Sequence, residues 1–381
     1  MRNVHSDCNR RAAADGEESI KIVNQTDTAL QLRNVTKYYG DFKAVDDVSF
    51  TLPTGSIYGF LGPNGAGKTT TLRMILEIIK PTSGEITVLG HSSALQVRHR
   101  LGYLPEEKGL YKKMKTWAVI AYFATLKGLD RKTAKLRALD LLDRYGLKDF
   151  AEKPTDALSK GMGQKVQMLA SIAHDPEFVM LDEPFSGLDP VNQQVMEEII
   201  RDMARRNRTI LFSTHVMQHA ERLCDRVLLI AKGKKVFDGT IPEAKRILPR
   251  RVRIETGDDI TPLREFPDVL SLRLLESNHH SSPPGPAPPG VSPLHEPLPL
   301  PFRRGEGWGE GSVVRPSGSE SSPNGTAQWE MDLRENADPQ AILQLCFARK
   351  IRLRSFNQSE PTLHEVFVRL VGAEAKEAGF R

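Results

Sequence analysis

The run Gly62-Pro63-Asn64-Gly65-Ala66-Gly67-Lys68-Thr69-Thr70 has the make-up of a polyphosphate cradle. Gly62, Gly65 and Gly67 let the backbone fold back so that several N–H groups converge on one anion at the start of a helix. Lys68 brings a full charge to the β/γ-phosphates. The Thr69 hydroxyl suits Mg²⁺, a small hard cation that takes oxygen ligands and keeps some of its waters. A second chemical element is Phe178-Val179-Met180-Leu181-Asp182-Glu183, four apolar residues that read as a buried parallel strand ending in two carboxylates. Asp182, at the strand end, is suited to the Mg²⁺ shell. Glu183 is suited to orient and deprotonate an attacking water.

These two segments must be held by flanking elements. The apolar Ile57-Tyr58-Gly59-Phe60-Leu61 reads as a strand before the loop, and 71–79 as a helix after it. From about residue 30 to 244, short apolar strands alternate with helical patterns, which predicts a largely parallel sheet covered by helices. From about 94 to 174, with helical periodicity at 117–127 and 131–145, a helical subdomain is expected.

Between the two chemical segments lies Leu158-Ser159-Lys160-Gly161-Met162, and with it the chain resembles an ABC-type ATPase. The family's markers occur in order: aromatic Tyr39, the phosphate loop, the signature at 158–162, the strand with Asp182 and Glu183, Ser186-Gly187-Leu188-Asp189, and His215 after the apolar 209–212. The resemblance covers roughly residues 30–245. It implies a P-loop α/β ATPase that binds ATP and Mg²⁺, with Tyr39 stacking on adenine and His215 contacting the γ-phosphate. It also implies a head-to-tail dimer, homo- or heteromeric, in which Ser159, Lys160, Gly161 and Met162 meet the ATP of the opposite subunit and Asp189 couples the two sites. A helix N-terminus preceded by serine is a chemically suitable anion site for that purpose.

Three positions, in two segments, depart from the usual family pattern. Glu106, in Leu104-Pro105-Glu106-Glu107, stands where many members carry glutamine. A carboxylate there either binds Mg²⁺ more directly or disfavours ATP by repelling the γ-phosphate. The signature has Lys160 and Met162 where glycine and glutamine are usual, and Lys160 adds a cation near the trans phosphate. These departures resemble the branch of sodium-export and related exporter ATP-binding subunits. That branch implies a separate multi-span membrane permease as partner and a position on the inner face of the cell membrane; sodium or a small molecule is among the possible cargoes. The alternatives are a non-transport ABC ATPase and a regulatory nucleotide-binding module.

From about 250 the pattern changes to short strands at 251–256, 270–276, 328–333 and 351–356 with a helix at 339–349, a small α+β accessory domain over 250–371. The segment 360–370 resembles the terminal helix that closes such a domain. Pro-, Gly- and Ser-rich sequence at 277–326 interrupts it, and such composition buries too little apolar surface to offset chain entropy. Disorder is expected there and in the lead-in 1–29, which lacks the apolar core of a secretion signal; 372–381 is a tail. Within the insert, His279, His280 and Trp308 are expected to be inert.

Across the 381 residues, 53 Lys and Arg against 48 Asp and Glu leave a net charge of +5, too balanced to indicate nucleic-acid binding. Cys8, Cys224 and Cys346 show no metal or disulfide spacing, which fits a reducing cytosol. No apolar run approaches the roughly 18–20 residues of a membrane span.

Overall fold

The computed structural model describes residues 28–107, 109–277 and 326–372. The expectations of disorder for 1–29 and 277–326 therefore fall almost wholly outside the described residues, as do His279, His280, Trp308 and nearly all of the tail 372–381. The chain divides into two compact units, one of residues 1–247 with 362–381, the other of 248–361.

The first unit opens with a hairpin of two 12-residue strands, β1 (Thr28–Tyr39) and β2 (Phe42–Pro53). Next come β3 (Ile57–Leu61), α1 (Lys68–Ile75) and β4 (Ser83–Val88). A 3₁₀ segment, Ala94–Arg100, leads into β5 (Leu101–Leu104). Helices α2 (Thr116–Leu126), α3 (Arg131–Arg144) and α4 (Lys160–Ile172) precede β6 (Phe178–Asp182). The unit continues through α5 (Pro190–Arg205), β7 (Thr209–Thr214), α6 (Met217–Leu223), β8 (Arg226–Ala231), β9 (Lys234–Thr240) and α7 (Ile241–Lys245).

The main sheet has the order β5-β6-β7-β3-β8-β9, parallel except for β9. Every residue of β3, β6 and β7 is buried, as expected for strands covered on both faces. The parallel register sets Leu61 beside Thr214 and Asp182 beside Ser213, so the phosphate loop and both acidic residues leave the same edge of the sheet. Ligands of open α/β sheets bind at this carboxyl end.

The structure adds two corrections. A separate antiparallel sheet, β2-β1-β4, accompanies the parallel one. Its strands alternate imperfectly because the β1–β2 and β1–β4 pairings carry register shifts, which blur a two-residue period. The expected helical stretch 94–174 also contains β5, a member of the main sheet; four residues are too few to display a strand period. Its helices are α2, α3 and α4.

The second unit holds β10 (Arg250–Thr256), β11 (Val269–Ser277), β12 (Ala327–Leu333), α8 (Pro339–Ala348) and β13 (Leu353–Ser359). Its antiparallel sheet runs β11-β12-β10-β13 over a core that includes Val252, Ile254, Leu272, Met331, Ile342 and Cys346. The last helix, α9 (Leu363–Val371), opens with a capping box between Thr362 and Glu365. Its contacts correct the expectation that it closes the accessory domain. It packs on α6 and α7 of the first unit, and its Leu363 N–H donates to Glu221 at 2.6 Å. Leu363, Val366 and Phe367 give it an apolar stripe, but a stripe does not name the surface it will meet.

Ser277 and Ala327 pair directly across β11 and β12, so both ends of the insert meet at one hairpin. Replacing 278–326 by Asn-Gly is therefore expected to leave the sheet register and ATP turnover intact, because loop-closure entropy varies slowly with length. Turnover abolished in a variant that still melts cooperatively would refute this.

Candidate ATP site

The phosphate loop bridges β3 and α1, and its shape depends on glycine at two points. Gly67 caps α1 with φ 101°, and a Cβ there would lie 2.6 Å from the Ala44 carbonyl oxygen. A Cβ on Gly62 would lie 2.3 Å from the Ile230 carbonyl oxygen. Between them Pro63, Asn64, Gly65 and Ala66 form a turn in which the Ala66 N–H donates to the Pro63 oxygen at 3.2 Å. Gly65 has φ 77°, but a Cβ there would meet nothing within 4 Å, so the position is left-handed and open. Thr69 and Thr70, in the first turn of α1, are half-buried.

Lys68 is buried, and its ammonium donates to the oxygens of Gly62 at 2.7 Å and Pro63 at 3.1 Å. It also lies 3.6 Å from Glu183 Oε1. Burial pushes its pKa below that of an ordinary lysine, while Glu183 and Asp182 oppose the change. A buried cation with only one close carboxylate is a strong attractor for further negative charge.

At the end of β6 the two carboxylates have different surroundings. Asp182 is 1 % exposed; its Oδ1 accepts from the Ser213 hydroxyl, and its Oδ2 has no hydrogen-bond partner. An unpartnered buried carboxylate oxygen requires a cation or a water. With the half-buried Thr69 hydroxyl, this donor set of oxygens fits Mg²⁺, a metal that keeps waters and phosphate oxygens in its shell. Among the described residues no cluster of three or more His, Cys, Asp or Glu offers an all-protein metal cage.

Glu183 adopts φ 48°, a conformation that costs a non-glycine residue about 1–3 kcal/mol unless its surroundings enforce it. Here its N–H donates to the Ser213 carbonyl and hydroxyl oxygens, each at 3.2 Å. The side chain is thereby turned so that Oε1 accepts from His215 Nδ1 at 2.9 Å. Lys68, Glu183 and His215 thus form one contiguous chain, assembled from α1, the end of β6 and the end of β7. Ser213 supports the Asp182 carboxylate and the Glu183 backbone, yet from sequence it stands only as context for His215; the Asp182–Ser213 register is what reveals it.

The remaining residues named from sequence lie at separate points. Tyr39 ends β1, roughly half exposed, with the Lys37 ammonium 5.3 Å from its ring centre. Ser159 caps α4 by accepting from the Met162 N–H at 3.3 Å. Lys160 and Gly161 lie against the Ser186–Asp189 turn and α5: a Cβ on Gly187 would be 2.3 Å from Lys160 Nζ, and one on Gly161 would be 2.6 Å from Asn192 Nδ2. Asp189 caps α5 through the Asn192 N–H, and these hydrogen bonds hold its carboxyl below the usual range. Glu106 is exposed in the segment after β5 and acts electrostatically on Lys68.

Comparison with known proteins gives the family. The chain is 41% identical over 245 residues to the uncharacterized ABC transporter ATP-binding protein YhaQ of Bacillus subtilis, covering 64% of this chain and 82% of that protein. It belongs to the ABC transporter ATP-binding protein family. The ABC transporter family model matches residues 45–186, and that of the DrrA1-3-like ATP-binding protein C-terminal domain matches 308–371. The ABC transporter ATP-binding protein NatA of B. subtilis is 41% identical, over 52% of this chain and 82% of its own. The Nod factor export ATP-binding protein I of Burkholderia orbicola is 36% identical, over 64% and 79%. A solved structure of the ATP binding subunit of an ABC transporter superposes with TM-score 0.54 at 29% identity, covering 58% of this chain and 93% of the other. This member is accordingly a P-loop ATPase of the ABC type, a class of subunits that bind ATP, dimerise and energise a membrane permease. Among the described residues no helix is long and apolar enough to cross a membrane.

Proposed function

We propose that this subunit hydrolyses Mg²⁺-ATP between two ATPase copies to drive export through a separate multi-span permease docked at the inner face of the cell membrane. The observation that carries the reading is the Lys68–Glu183–His215 chain beside the unpartnered Asp182 oxygen. Thr69 and Asp182 would hold Mg²⁺, which when bound neutralises charge on the β- and γ-phosphates. Lys68 and the loop N–H groups bind the phosphates. Glu183, already turned into the site by its backbone, takes the proton of the attacking water, and His215 fixes the carboxylate and contacts the γ-phosphate. Tyr39 stacks on adenine.

Ser159, Lys160, Gly161 and Met162 of one copy meet the γ-phosphate of the other, where the α4 N-terminus and the Lys160 charge favour an anion. Asp189, packed through Asn192 against Gly161, links that contact to its own subunit's site. Differential affinity of ATP for the closed dimer then moves the permease, and hydrolysis removes it. The export direction follows the Nod factor export relatives; sodium and small molecules are the cargo classes that the exporter-branch resemblance of the sequence suggests.

The test is co-expression with a candidate multi-span membrane protein. The chain is expected to partition with the membrane fraction only in that pairing, with its ATPase rate raised there. Equal partitioning and turnover with and without the membrane protein would favour a non-transport ATPase.

A further inference from the structure

Gln167 lies on α4, eight positions after the serine that caps it, and is buried. Its side-chain amide donates to the carbonyl oxygens of Glu107 at 2.9 Å and Pro105 at 3.4 Å, one on either side of Glu106. The same helix sends Gln164 to the Pro184 carbonyl oxygen at 2.8 Å, directly after Glu183. One rigid helix therefore carries the signature at its start, grips the residue following the catalytic carboxylate, and holds the exposed acidic segment after β5. Pro105 lacks an N–H, and both bonds fall on carbonyls, so a side-chain donor is needed to satisfy them from the helix.

From this geometry we infer that Gln167 is a positioning residue that makes Glu106 move with the signature helix, so that the placement of its carboxylate toward Lys68 depends on whether the signature is engaged. Glu106 adds the weakest of the charge interactions that keep the Lys68 ammonium protonated. The inference rests on the proposed site in one respect, that the segment after β5 faces the bound nucleotide. It adds what Glu106 itself cannot supply: a mechanical tie between that carboxylate and Ser159.

A double-mutant cycle tests it in the full-length protein, using Mg²⁺-ATP. Gln167→Met keeps the volume and removes the donor; two lost neutral hydrogen bonds correspond to about tenfold in kcat. KM for ATP, set by the phosphate loop, is expected to change less than about threefold, since Gln167 touches no loop residue. Glu106→Gln should alter kcat in the wild-type background and have no further effect on Gln167→Met, because an untethered Glu106 no longer follows the helix. Additive effects, or wild-type kcat in Gln167→Met, overturn the inference. Should Gln167→Met melt below the wild type, hydrogen exchange on the unaltered protein decides. Amides of 101–107 and 160–167 are expected to change protection together on adding ATP, and a change confined to one segment overturns it. A wild-type chain that bound no ATP would instead sink the site reading.

Discussion

Glu183→Gln is expected to bind ATP at least as tightly as the wild type while hydrolysing it about 10²–10⁴-fold more slowly, the usual loss on removing a general base. That corresponds to about 3–5 kcal/mol of transition-state stabilisation. The amide retains an oxygen to accept from His215 Nδ1 and keeps the backbone bonds to Ser213, so the strained φ of 48° is still enforced. What disappears is the negative charge beside Lys68. Before nucleotide arrives, Lys68 then faces one fewer carboxylate, so the phosphates gain rather than lose attraction. Slow turnover with retained binding should accumulate an ATP-bound dimer, observed as a doubled mass on size exclusion with ATP and a single mass without it. Turnover near the wild-type rate would remove Glu183 from the catalytic role. A monomer that remained monomeric with ATP would remove the signature contact.

Lys68→Ala acts on binding instead. The ammonium donates to the Gly62 and Pro63 oxygens and carries the principal cation of the loop. Its loss removes a charge-assisted contact to the phosphates, a contribution of about 1.5–3 kcal/mol per bond, so ATP affinity should fall about 10- to 10²-fold for each bond lost. Calorimetric titration measures it. Because the substitution also frees two loop carbonyls, Lys68→Met is the companion that preserves side-chain volume, and both variants should lose affinity alike. Unchanged ATP binding in either would contradict the phosphate-loop assignment. Together the two variants separate the site's functions: Lys68 holds the nucleotide, and Glu183 consumes it.

Much of the chemistry was readable from local sequence because it depends on local geometry. A loop that wraps a phosphate needs glycines at set spacing, and Gly62 and Gly67 both meet carbonyl oxygens where any Cβ would collide. The largely apolar β3, β6 and β7 announce strands covered on both faces, and helices α2 and α3 fall within one residue of their expected bounds. The two capping boxes, at Thr240 and Thr362, are likewise local pairs of residues. The family markers placed Lys68, Asp182, Glu183 and His215 on the correct loop and strand ends, though each role still awaits its variant.

Residues that act across strands or helices were hidden. Ser213 contacts the Asp182 carboxylate and the Glu183 backbone N–H only because β6 and β7 align it with Asp182. Gln167 finds Pro105 and Glu107 sixty or so residues away, and nothing in either segment signals the other. The antiparallel β2-β1-β4 sheet and the docking of α9 on α6 and α7 were unread for the same reason.

Backbone demands such as a left-handed glycine, a helix cap or a buried strand are met within a few neighbouring positions, so the linear order of residues already states them. Partner choice between distant segments is a matter of register and packing. It is resolved when the sheet assembles, and that is where the unpartnered Asp182 oxygen, the Glu183–His215 bond and the grip of Gln167 on its acidic segment come into being.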